Sequence, residues 1–171
     1  MYATAQSAEA LTNGMTRYDT KFIDRLHMHQ LEDDQGDFAL IPVIRRFLDE
    51  NELAFVFVVK SGAHFPWARR KYRDLEYEPV PPDGQVYERA WKAEFINAYD
   101  NLVRWNVDRF AEALMPTLLE RGVMLVYTSD HGQNLFDHPV RNATHCTFTG
   151  EIPPEQGLVP LLVAGVPQAV A

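Results

Sequence analysis

A chain of 171 residues and 19.6 kDa is the size of one ordinary domain. Its 46% apolar composition and three tryptophans exclude a disordered polymer, and a net charge of −8 excludes a basic surface for nucleic acid or anionic lipid. No stretch approaches the ~20 consecutive apolar residues of a membrane span, the first residues lack a charged-then-apolar leader pattern, and the single cysteine, Cys146, cannot form an internal disulfide.

Residues Met1 to Gly14 are small and polar with no sustained period, and Asn13-Gly14 is a turn signal, so they read as a loosely tied lead-in. From Asp19 to Leu31 the spacing of Phe22, Ile23 and Leu26 predicts a short helix capped by Asp19 or Thr20. His27 and His29, two apart on such a helix, point in different directions and read as surface or satisfied polar groups. Gly36-Asp37 opens a second helix, in which Ile41, Ile44, Phe47 and Leu48 fall on one face and Pro42 is confined to the first turn. Leu53 to Val59 reads as a buried strand. It ends in Lys60-Ser61-Gly62-Ala63-His64-Phe65-Pro66-Trp67, where His64 is held between a glycine and a proline. There it is either a backbone-bonded loop residue under a Pro66-Trp67 lid or a site histidine. The notable basic cluster follows, at Arg69, Arg70, Lys71 and Arg73.

Pro79, Pro81 and Pro82 mark an exposed connecting loop. A long helix is predicted from about Val86 to Arg121, with Trp91, Phe95, Ala98, Leu102, Trp105, Phe110, Ala113 and Leu114 as its core stripe. Pro116 should kink it, and Gly122 should stop it. The run from Val123 to Thr128 then reads as a strand buried on both faces, and the strand, helix, strand order as a βαβ unit of a parallel sheet. Residues Asn134 to Pro154 are too polar and too broken for a regular element, and Leu158 to Val163 reads as a third strand ended by Gly165 and Pro167.

The chemistry concentrates just past Thr128, in Ser129-Asp130-His131-Gly132. Ligands of open α/β sheets collect at the carboxyl ends of strands. Asp130 offers a hard oxygen and His131 a borderline nitrogen, a mixture that suits zinc, with manganese as the alternative. Adjacent strand residues face opposite ways, so both reach one ion only if the backbone turns at once, and Gly132 permits that turn through positive φ. An Asx-type turn at a strand end is the plainer reading of the same residues.

Taken in order, the SGAHFPW loop, the SDHG turn, His145 in a downstream irregular loop and the PEQGLVPLLV return to the sheet resemble the carboxy-terminal half of the sulfatase-like, alkaline-phosphatase superfamily domain. The subgroup most alike is the membrane-anchored phosphoethanolamine transferases that modify lipid A and related envelope glycans. Tyr99-Asp100-Asn101 on the long helix also fits. The resemblance covers Tyr18 to Val163. It implies an α/β fold, a mostly parallel sheet flanked by helices, alkaline-phosphatase-like and incomplete, with residues 1–17 a poorly ordered lead-in and 18–171 a partial catalytic domain.

By the same resemblance, Asp130 and His131 correspond to metal ligands for zinc, while His64 and His145 correspond to catalytic histidines that contact the substrate phosphate or a second ion. A phospholipid head group is the implied donor and lipid A or another glycan the acceptor, at the periplasmic face of the bacterial inner membrane. Nucleic acid is no partner, and the membrane is reached only through an amino-terminal anchor that this sequence lacks. Two positions depart from the family: Gln133 replaces the usual glutamate, and Cys146 the usual glycine. The family's nucleophilic threonine and first acidic ligand lie upstream of the matched region, so the chain reads as the second part of a larger enzyme. It is expected to be inactive alone and to self-associate through an exposed sheet edge. Two other readings stand: a non-catalytic α/β domain that binds an anion or a partner, and a sulfatase or glycerophosphate transferase of the same superfamily.

Overall fold

The computed structural model describes residues 1–4, 21, 23, 25–28, 36–67, 76–137, 143, 145, 147 and 150–165. The expectations placed on His29, Cys146 and the basic cluster at Arg69, Arg70, Lys71 and Arg73 lie outside the described residues. The chain divides into two compact units, one of Met1–His64 with Leu102–Leu114, the other of Phe65–Asn101 with Met115–Ala171.

In the first unit, β1 (Tyr2–Thr4), β2 (Leu26–Met28) and β3 (Phe57–Val59) form a parallel sheet in the order β2-β1-β3. Two expectations are corrected here. The first residues are not a loose lead-in, since Met1 to Thr4 are buried and β1 is the central strand. The stretch around Leu26 holds a strand instead of the predicted helix. Both errors have one cause: three-residue strands leave no periodicity, and sheet pairing overrides local preference. The Met1 ammonium donates to the Phe55 carbonyl at 2.7 Å, Tyr2 N–H to Arg25 at 2.9 Å and Phe57 N–H to Met1 at 3.0 Å, so β1 is tied on both edges.

A 3₁₀ turn (Gly36–Ala39) leads into α1 (Leu40–Glu50), which buries Ile41, Ile44, Phe47 and Leu48 as its spacing predicts, with Pro42 in the first turn. At its end Arg25 meets Glu50 at 2.7 Å, and this hydrogen bond holds the exposed Glu50 carboxyl below its ordinary pKa. The strand predicted over Leu53 to Val59 is shorter and more open than expected. Leu53, Phe55 and Phe57 are 95%, 79% and 53% exposed, the opposite of burial on both faces.

The long helix begins with a 3₁₀ turn at Arg89–Trp91 and continues as α2 (Lys92–Val103), a π-helical stretch (Arg104–Arg109) and α3 (Phe110–Glu120). The buried positions Leu102, Asn106, Phe110, Leu114 and Leu118 are four apart. In a regular α-helix a strict four-residue step drifts around the axis, and the wider π turn takes up that drift. Asn106 thereby occupies a place on the buried stripe. The helix is continuous through Pro116 and stops at Gly122, whose φ is 63°. There Val123 N–H reaches Leu118 O at 2.8 Å and Gly122 N–H reaches Leu119 O at 3.1 Å, the paired bonds of a Schellman stop.

In the second unit, β4 (Leu125–Thr128) pairs antiparallel with β5 (Leu161–Ala164), Val126 opposite Val163 and Thr128 opposite Leu161. The parallel continuation expected of a βαβ unit is replaced by this two-stranded ribbon. Directly opposed residues share a face, and this one carries Val126 at 55%, Leu161 at 73% and Val163 at 49% exposure. The strand from Val123 is therefore not buried on both faces. The unit's core is aromatic instead. Trp67 meets Tyr87, Phe95 and Tyr99 edge-on at 5.0, 6.3 and 5.2 Å, Tyr87 stacks on Phe95 at 4.3 Å, and Phe95 stacks on Phe136 at 6.1 Å. Burial raises the Tyr99 pKa, the Asp100 charge adding to the effect. Asn101 is buried and binds the backbone of residues 76 and 77, its Oδ1 accepting the Glu76 and Tyr77 N–H groups at 3.0 Å each and its Nδ2 donating to Tyr77 O at 2.9 Å.

Candidate metal and phosphate site

Asp130 and His131 stand directly past the carboxyl end of β4, where the sequence pattern puts them. The turn is tight: His131 N–H donates to the Asp130 carboxylate at 3.1 Å. His131 Nδ1 lies 2.8 Å from the Gly132 carbonyl. A carbonyl accepts only, so Nδ1 carries the proton and Nε2 presents the lone pair, the arrangement by which a histidine is readied for a metal. Nε2 is 3.9 Å from Asp130 Oδ1. Two donors bound to one tetrahedral zinc at ~2.0–2.1 Å stand roughly 3.4 Å apart, and the Asp130 side chain, 87% exposed, has the freedom to close the difference.

Gly132 is required for a reason other than the predicted one. It is not among the positive-φ glycines. A Cβ at this position would lie 2.0 Å from Glu155 O and 2.4 Å from Leu158 O, because the 3₁₀ turn Pro154–Gly157 runs directly against it. Gly132 N–H donates to Gln156 O at 2.8 Å across that contact. Close backbone approach, rather than left-handed geometry, excludes a side chain here.

His145 is brought to the same place. Its ring stacks on that of His131, centroids 4.7 Å apart and planes within 2° of parallel, and Phe65 packs against it at 4.6 Å. Among the described residues no group of three or more His, Cys, Asp or Glu side chains is assembled to hold a metal ion. Asp130 and His131 fit zinc as two donors of the usual four.

His64 belongs to the first unit, in a turn fastened from both sides. His64 N–H donates to Ser61 O at 3.2 Å. The buried Asp37 carboxylate accepts the Ser61 and Gly62 N–H groups at 2.8 and 2.9 Å, and Asn106 Nδ2, from the π turn, donates to Gly62 O at 2.7 Å. Lys60 completes the cluster, its ammonium donating to the Asn106 carbonyl and sitting 3.8 Å above the Phe110 ring centroid. Burial raises the Asp37 pKa, opposed by Lys60 and the two amides. Burial lowers Lys60 to about 8, with Asp37 opposing. No periodicity marks Asp37 or Asn106 as a support of this turn.

Within the second unit, the residues after Gln133 are fastened in their own right. Asn134, fully buried, accepts the Asp137 N–H through Oδ1 at 3.0 Å, and Phe136, at φ 64°, turns its ring into the aromatic core while its carbonyl accepts Arg89 at 3.1 Å. A non-glycine residue in left-handed geometry costs roughly 1–2 kcal/mol, which the buried ring and the carbonyl contact offset.

A family model described as Sulfatase matches residues 3–170. The chain is 28% identical over 163 residues to the Kdo(2)-lipid A phosphoethanolamine 7''-transferase of Salmonella typhimurium, a match spanning 95% of this chain and 25% of that protein. Two crystal structures of the C-terminal periplasmic domain of EcEptC from Escherichia coli share the fold at 19% identity: one in complex with Zn at a TM-score of 0.62, the other at 0.59. They align with 95% of this chain and cover 47% and 46% of their own. The chain thus spans a quarter of the curated relative and about half of the solved domain.

Proposed function

Since the chain belongs to the sulfatase family, we propose that it is the carboxy-terminal part of a zinc-dependent phosphoethanolamine transferase. In this reading the group passes from a phospholipid head group to lipid A or a related envelope glycan, at the periplasmic face of the bacterial inner membrane. The observation that carries it is the Asp130-His131 donor pair past β4 with His145 stacked on His131. Its likeness to a lipid A phosphoethanolamine transferase supplies the substrate class.

Asp130 and His131 are the residues that would hold zinc, and manganese is the alternative for an oxygen-nitrogen pair. Bound there, the metal supplies Lewis acidity, lowering the pKa of a nucleophilic hydroxyl and neutralising phosphoryl oxygens. Gly132 lets the turn close against the 155–158 backbone and fixes the direction in which His131 points. His145, packed between rings, offers an N–H or a positive charge to a phosphate oxygen, and His64, on its fastened turn, is assigned the same kind of contact. Asp37 and Asn106 hold that turn, and Lys60 neutralises Asp37. The described residues supply two metal donors, and the resemblance puts the nucleophilic threonine outside the matched region, so these 171 residues alone are expected to be inactive. The exposed face of Val126, Leu161 and Val163 is assigned to packing against the remainder of such a domain, or to self-association when the chain is alone.

A nitrophenyl phosphodiester assay with added zinc tests the reading. No turnover is expected from the isolated chain. Turnover that disappears in His131→Ala would disprove the claim that two donors are too few, and turnover that survives both His131→Ala and His64→Ala would remove the proposed site altogether.

A further inference from the structure

The two stacked histidines lie fourteen residues apart in sequence, on separate irregular segments, and one residue touches the supports of both. Gln156 is buried in the 3₁₀ turn Pro154–Gly157, where its own N–H donates to Pro153 O at 3.0 Å. Its main-chain carbonyl accepts the Gly132 N–H at 2.8 Å, one residue from His131. Its side chain reaches Thr147, two residues past His145, with Nε2 donating to Thr147 Oγ1 at 2.8 Å and Oε1 accepting the Thr147 N–H at 3.0 Å. The match is chemical as well as geometric. An amide offers a donor and an acceptor side by side, and Thr147 presents an acceptor and a donor in the same order. A carboxylate of equal length offers acceptors alone, and an apolar side chain neither.

We propose that Gln156 is a positioning residue that ties the His131 turn to the His145 segment and so keeps the two imidazoles stacked. This rests on the reading of that pair as a metal ligand and its charge-stabilising neighbour. The main-chain arm depends on the close approach that Gly132 permits, and the side-chain arm on burial, which excludes the water that competes for both amide ends.

The test is proton NMR of the 171-residue chain, following the nuclear Overhauser contact between the His131 and His145 ring protons. The Phe95–Phe136 ring contact in the same unit serves as the folding control. Wild type shows both contacts. In Gln156→Ala the histidine contact disappears while the control persists. In Thr147→Val and in Gln156→Glu, each of which keeps the main-chain N–H bond from position 147 and loses the bond between Nε2 and Oγ1, it weakens. Should Gln156→Ala lose the control contact through misfolding, Thr147→Val decides, since it leaves the main-chain arm intact. An undiminished histidine contact in Gln156→Ala or Thr147→Val with the control intact, or its absence from wild type, overturns the proposal. The metal-site reading fails separately, when zinc added to wild type with the ring contact intact leaves the His131 ring signals unmoved.

Discussion

Replacing Lys60 with methionine should change how stability depends on pH. The Lys60 ammonium is buried beside Phe110 and the Asn106 carbonyl, and its pKa falls from an ordinary 10.5 to about 8. A lysine whose folded pKa is depressed binds its proton more tightly in the unfolded chain, so its burial cost is fully present below pH 8 and is relieved as pH rises from 8 to 10.5. The gap, 10.5 − 8 or about 2.5, corresponds at 1.36 kcal/mol for each tenfold step to ~3 kcal/mol, of which ~2.5 kcal/mol is recovered between pH 7 and 10. Methionine conserves the apolar stem and cannot titrate. Asp37 loses its cationic partner in the variant but keeps both amide donors, which adds an offset that varies little over this range. Tyr2, and Tyr99 likewise, has a pKa raised by burial and pulls the other way above pH 10, but equally in both proteins. Urea unfolding at pH 7, 8, 9 and 10, with two-state behaviour checked by two probes, should show wild type gaining ~2–3 kcal/mol on Lys60→Met across the range. A difference that stays flat with pH refutes the reasoning.

Gly132→Ala should destabilise the chain by more than ~2 kcal/mol or displace the 155–158 turn, since its Cβ would meet backbone oxygens at 2.0 and 2.4 Å that cannot swing aside. Thermal unfolding reads the first outcome and loss of the His131–His145 ring contact the second, and an unchanged protein contradicts the packing described. The exposed apolar residues of β4 and β5 should make the isolated chain associate as its concentration rises. Sedimentation should show this in wild type and less of it in Val126→Lys with Leu161→Lys. A strictly monomeric wild type removes that expectation.

Long elements were legible and short ones were not. The buried face of α1 and the stop at Gly122 follow from period and turn chemistry, and the structure has them. β1 and β2 were missed because three-residue strands carry no pattern and exist through pairing. The antiparallel partner of β4 could not be read, since a run of apolar residues says that a strand forms and not which strand lies beside it. Asp130 and His131 stand out in the sequence because their chemistry is unusual where a strand ends. Gln156, Asp37 and Asn106 act by hydrogen-bonding distant backbone, and no local pattern marks such residues. The π turn is of the same kind: Asn106 is no part of the apolar stripe expected of the long helix, and in the structure it is buried and holds the His64 turn.

The claim on which the account rests is that Asp130 and His131 together bind zinc. Nitrogen-15 NMR of the histidine rings during a zinc titration tests it most directly. Zinc is expected to move the His131 Nε2 signal with Nδ1 still protonated toward the Gly132 carbonyl, and both Asp130→Ala and His131→Ala are expected to abolish zinc binding. Zinc that leaves His131 Nε2 unmoved, or binds equally well to both variants, contradicts it.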